Sequence, residues 1–293
     1  MNQQKKQTFL RNIIFLALFL VPIFYISQIL ATGIHEIIGH GLSAVALGGK
    51  FNGFTIRWDG MGWAFTRLPL DATKDHEIIR LAAGVISTTI MGVLFLILAY
   101  IVRTKLSIRL PLLLMSFSCL MEGIPYVFWN SYHPVPPGDI GKIITLWHIA
   151  ELPGGAGIRN FLLVISGMTF FTVTFLMCAL LFQGIEEAIL AGKRFSSQER
   201  FWMLLLFLAA PGTIVWFTFD WNQLAPGIGF LPCFVGAASI LISAIILYRF
   251  PLKPRSDIDV INISWFHLFV SFSSLIVIVT LILFWLQNGV IWD

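Results

Sequence analysis

ATGIHEIIGHGLSAVALGG, residues 31–49, ends an apolar run that starts at Phe9 and carries a single charge, Arg11, before His35. About 20 helical residues cross a hydrocarbon core, so a span is expected near 11–47, retained because it exceeds a signal-peptide core. His35, Glu36 and His40 thus belong to a membrane segment. Ionisable groups there are costly and as a rule serve a function.

The rest of the chain agrees. Of its 293 residues 57% are hydrophobic and 12% charged, and the mean hydropathy is +0.85. Soluble domains carry about a quarter charged residues, so that class is excluded. Further apolar runs near 79–102, 108–129, 158–182, 201–219, 227–248 and 263–286 predict an all-α polytopic protein with about seven transmembrane helices. Pro22 or Gly33 is the expected place for a bend in the first. The three cysteines lie far apart in apolar segments and read as small buried residues.

The formal charge of +4 comes from loop cations, which in such a chain report topology, and no nucleic-acid partner is expected. Lys5, Lys6, Arg11, Arg103, Lys105, Arg109, Lys193, Arg194, Arg200, Arg249, Lys253 and Arg255 are twelve of the 19 basic residues. A seven-span chain with its N-terminus inside puts all twelve on the inner side.

After the first span comes KFNGFTIRWDGMGWAF, residues 50–65. Phe54, Ile56 and Trp58 alternate with Thr55 and Arg57, Asp59-Gly60 interrupts, and Trp63 and Phe65 resume. Period-two alternation around Asp-Gly predicts a β-hairpin, and its aromatics suit the membrane–water interface.

The common zinc-peptidase motif is H-E-x-x-H, whose histidines share one helix face. Here His35-Glu36-Ile37-Ile38-Gly39-His40 is one residue longer, and Gly39 stands where the second ligand usually is. Five residues along a regular α-helix leave two side chains about 140° apart. A π-bulge absorbs one extra residue and would bring His35 and His40 to one zinc ion, with Glu36 as general base. HEIIGH is similar in this spacing to the signature of the dipeptidyl-peptidase III family.

The order of features over residues 9–146 resembles the site-2 protease family of intramembrane zinc metalloproteases. Helix and HEIIGHGLSAVALGG are followed by the hairpin, a glycine-containing helix LAAGVISTTIMGVLFL, and NSYHPVPPGDIGKI. The resemblance implies that Asp139 is the third zinc ligand and that Asn130 orients substrate. It departs from the family in the longer histidine spacing and in Ile140, which follows Asp139 where glycine is usual. It also implies a site worked from the cytosolic side, whereas the charge tally puts His35 toward the outer face.

The expected division is a catalytic core over 1–150, with motif, hairpin and aspartate, and further membrane helices of unknown role over 151–293. The expected activity is zinc-dependent endopeptidase cleavage of transmembrane or membrane-proximal segments, with His35, His40 and Asp139 on Zn²⁺ and Glu36 moving the proton. The hairpin, through Phe54, Ile56 and Trp58, either accepts the unwound substrate as an added strand or only seals the site. The partners are then the bilayer and a membrane-protein or peptide substrate. Two other classes remain open: an inactive scaffold or binding protein with the same fold, and a metal transporter, which the single compact cluster disfavours. Glu122 is a weaker ligand candidate. His133 reads as a loop neighbour of Asp139; His76, His148 and His267 read as structural, and Asp220 as interfacial. Glu186 and Glu187 read as a solvated inner face near Lys193 and Arg194.

Overall fold

The computed structural model describes residues 3–58, 60–123, 127, 138–149, 152–190, 195–212, 231–252 and 263–292. Helix α1 (Gln3–Gly33) runs through Pro22, and the change of geometry comes after Gly33, where a π-helical turn (Ile34–Gly41) leads into α2 (Leu42–Ala46). Strands β1 (Lys50–Ile56) and β2 (Gly62–Arg67) follow, then α3 (Lys74–Ile101), α4 (Leu106–Met121) and the short α5 (Asp139–Leu146). Beyond these are α6 (Gly155–Leu190), α7 (Ser197–Leu204) with a π-helical extension Leu205–Ala209, α8 (Leu231–Arg249), α9 (Trp265–Phe284) and a short strand β3 (Val290–Ile291).

The described helices are mostly apolar, as a bilayer requires of segments whose backbone must be satisfied internally. Four stretches are long and apolar enough to cross a membrane: Leu10–Ala46, Lys74–Ile101, Gly155–Ile189 and Trp265–Asn288. Leu106–Met121 and Val235–Arg249 are apolar but shorter. The expectation of seven spans therefore reaches the described residues as four. The expected span over 201–219 is helical through Gly212, and its remainder lies outside the described residues.

The chain divides into two compact units. One comprises Met1–Ile26, Phe95–Leu114 and Thr174–Ile276. Its apolar core gathers Leu16, Leu110, Phe182, Met203 and Leu247, among others. Buried charges lie beside that core. Arg109 donates to Glu187 at 2.6 Å, while Glu186 accepts from the Phe195 backbone N–H at 2.9 Å and lies 3.8 Å from Arg200. Glu186 and Glu187 are only 2% and 1% exposed, which overturns the reading of them as a solvated face. A carboxylate in an apolar interior persists when paired, and both are.

The second unit comprises Ser27–Leu94, Met115–Val173 and Val277–Asp293, and every element of the candidate site belongs to it. The expected hairpin forms, with Phe54 opposite Ala64 and Ile56 opposite Gly62. A register shift between Phe51 and Gly53 makes Asn52 the extra residue of a bulge. An unexpected strand, β3, pairs antiparallel with the other edge of β1 to give the order β2-β1-β3. Gly53 permits that approach: its φ is +143°, and a Cβ there would collide with the Val290 carbonyl. The Trp292 N–H donates to the Asn52 carbonyl at 2.6 Å, and its ring packs edge-on to Phe51 at 5.2 Å.

Candidate active site

Three crossings hold the motif turn in place. At the first, α3 passes so close that a Cβ on Gly39 would lie 2.5 Å from Gly84 Cα and 2.8 Å from Gly84 N. Two glycines let helix backbones meet, as small residues do at crossings in membranes. Gly84 in turn leaves room for the His35 ring, into which a Cβ would project. The second crossing is the sheet, where Ile56 points at Gly33 and the Phe51 ring lies over Gly41. The third is β2, whose Gly62 lies over Thr32 and Glu36.

These contacts account for the longer motif. Position 39, where the shorter motif has its second histidine, faces the α3 backbone and admits no side chain. The π turn, with its i to i+5 bonding, carries the ligand one residue further. His35 and His40 then turn the same way, with ring centroids 4.9 Å apart.

Asp139 completes the group from the start of α5. Ile143 and Ile140 of α5 pack against Ile78, Leu81 and Ala82 of α3, which fixes the helix end. Asp139 Oδ2 lies 3.2 Å from His35 Nε2 and 3.1 Å from His40 Nε2. Burial alone would raise the Asp139 carboxyl, but the two imidazole contacts outweigh it and hold the group well below the usual carboxylate range. His40 Nδ1 lies 2.9 Å from the Arg80 carbonyl oxygen, to which it donates, so Nε2 is the nitrogen turned to Asp139. A hydrogen bond at the far nitrogen of this kind orients metal-binding histidines. Arg80 is itself braced by Glu77 at 2.6 Å and by Thr66 of β2 at 3.0 Å.

One donor atom from each of His35, His40 and Asp139 falls within 4.8 Å of the others, the one such group among the described residues. Two imidazole nitrogens and one carboxylate oxygen, nearly shielded from solvent, suit a zinc ion that keeps a fourth position open. The donor set therefore fits the metal that the motif implies. Glu36, 8% exposed, shares the turn and interacts electrostatically with all three groups. Glu122, directly after α4, feels the charges of His35, Glu36 and Asp139, but is no part of the three-residue group.

The residues expected to meet substrate are placed unequally. Ile56 is buried, 3% exposed, against the motif helix, so its side chain anchors the hairpin. Phe54 packs with Phe51 and Trp292. Trp58 lies beyond β1 and is exposed. Asn130, His133 and Asp220 lie outside the described residues. Sequence reasoning missed Gly62, Ala64, Gly84 and the Arg80 carbonyl, which act through backbone and absent side chains. Only Gly84 left a trace, as the glycine of LAAGVIS.

No curated protein and no solved structure matches the chain. Residues 10–127 match the family model described as Peptidase M50B-like. That stretch holds the histidine turn, the hairpin and the glycine crossing, and it stops before Asp139. Over these residues, about two fifths of the chain, the protein is similar to the M50B-like peptidases.

Proposed function

We propose that the protein is a zinc-dependent endopeptidase that cuts transmembrane or membrane-proximal peptide segments. The observation that carries this reading is the meeting of His35, His40 and Asp139 around one point, with Glu36 on the same turn. His35 and His40 through Nε2, and Asp139 through a carboxylate oxygen, would hold the ion. When bound, zinc lowers the pKa of its water toward about 7 and polarises the substrate carbonyl. Glu36 accepts the proton of the attacking water and delivers it to the leaving amine. The Arg80 carbonyl keeps His40 in the tautomer this needs.

A substrate helix has its own backbone groups paired, and must unwind before it is cut. The hairpin supports capture of the unwound segment by strand addition. Because β3 lines β1, the strand would add at the outer edge of β2, beside Glu36. Exposed Trp63 and Phe65 on β2, with Trp58 at the turn, would then flank it. A seven-span layout with the N-terminus inside remains part of this proposal.

The test is purified full-length protein in lipid nanodiscs, wild type and Glu36→Gln, assayed for bound zinc and for cleavage of co-expressed single-span substrates. Equal zinc in both with cleavage only in the wild type is the expected result. Zinc retained with no Glu36-dependent cleavage of any substrate would sink the protease reading and leave a scaffold.

A further inference from the structure

Glu36 has a partner outside its own helix. The backbone N–H of Ala64 in β2 is directed at its carboxylate. The pairing of the hairpin independently places that N–H on the outer edge. Arg57 N–H donates to the Met61 carbonyl at 2.7 Å, and hydrogen-bonded positions alternate along an antiparallel ladder. Thr55 opposite Trp63 is then a bonded pair, and Phe54 opposite Ala64 is not. The Ala64 N–H therefore points away from β1.

Two further contacts press the same hairpin onto the motif helix. Thr32, one helical turn before Glu36, donates through Oγ1 to the Gly60 carbonyl at 2.6 Å. Gly62 lies so close that a Cβ would sit 2.6 Å from Thr32 Cγ2 and 2.9 Å from Glu36 Cγ. A side chain at position 62 would push the carboxylate from its place.

We propose that β2 is a positioning element for the base, with the Ala64 N–H aiming the Glu36 carboxylate and Gly62 leaving the space it occupies. This rests on the assignment of Glu36 as general base. It gives the strand two tasks at one edge. A peptide that adds there meets outward backbone groups of Gly62 and Thr66, while the Ala64 N–H is already committed to Glu36. The substrate carbonyl opposite Ala64 is thus left without a ladder donor, next to the base. Strand capture and alignment of the scissile bond become one event.

Ala64→Pro removes the N–H and spares the β1 ladder, since proline is tolerated on an edge strand where the N–H faces outward. In full-length protein, A64P should lower kcat by about tenfold or more with KM and zinc content within about twofold of wild type, the loss expected for one charge-assisted hydrogen bond. Ala64→Gly, which restores the N–H, should recover most of that loss. Gly62→Ala should also lower kcat with zinc retained. Near-wild-type kcat in A64P, or equal damage in A64P and A64G, would overturn the proposal.

A second measurement does not depend on turnover or on A64P folding. In protein labelled with [¹⁵N]alanine, Ala64 amide exchange should be about tenfold faster in Glu36→Ala than in wild type, one hydrogen bond's worth. Equal rates would overturn the positioning role. Inactive wild-type protein with the exchange difference intact would overturn only the protease reading.

Discussion

Gly39 and Gly84 meet backbone to backbone, with 2.5 Å between Gly84 Cα and where a Cβ on Gly39 would stand. The crossing decides which motif spacing the site can use. Exchanging the two residues, as Gly39→His with His40→Gly, writes the common H-E-x-x-H into the sequence but drives a ring into α3. The double variant should bind less zinc than wild type, measured by metal content after purification. Wild-type zinc in that variant would mean the turn can relax to a regular helix.

The ligand set makes a graded prediction. His35→Ala, His40→Ala and Asp139→Ala should each lose bound zinc, since two remaining protein ligands rarely retain it. Glu36→Gln should keep it. Retention of zinc by the Asp139 variant at wild-type level would remove Asp139 from the metal and point to another carboxylate, with Glu122 first in line.

The Arg109–Glu187 pair, 2.6 Å apart with both side chains at most 4% exposed, should be sensitive to removal of one partner. Glu187→Gln should cost about 3–5 kcal/mol, because Arg109 keeps a buried charge that has lost its carboxylate. Replacing both together by apolar residues should cost far less. Thermal unfolding in detergent reads the difference, and zinc content should be unaffected in folded protein.

Gly53 sits where β3 comes closest. Gly53→Val should detach Val290 and Ile291, raising amide exchange across 290–292 while the zinc site stays loaded. Unchanged exchange there would mean that the Trp292 packing on Phe51 and Phe54 suffices without the ladder.

Much of the second unit could be read from residues alone, because its signals are local. The H-E-x-x-x-H run, the alternation around Asp59-Gly60 and the need for a π turn are all properties of a few consecutive positions. What escaped reading is long-range or made of missing atoms. Glu187 looked like a surface charge because its partner Arg109 stands 78 residues away. Strand β3 is two residues long, too short to show a period. Alternation puts Ile56 on one face of the hairpin but does not say what covers that face. Gly39 looked like a gap in the motif until Gly84 showed why nothing larger fits. The mapping of Asp139 came from resemblance, and its distance from the histidines in sequence gave no other route.

Val290 and Ile291 have one more effect. An open strand edge recruits any extended chain that drifts past, and a protease of the proposed kind would meet many. With β1 already lined, a visiting segment at Gly53 or Phe54 finds its place taken. Among the described residues, the sheet edge left unpaired is that of β2, alongside Glu36. A peptide held anywhere else on the sheet would be bound and never cut, acting as its own inhibitor. On the proposed function, two residues of backbone would be enough to steer capture to the edge beside Glu36.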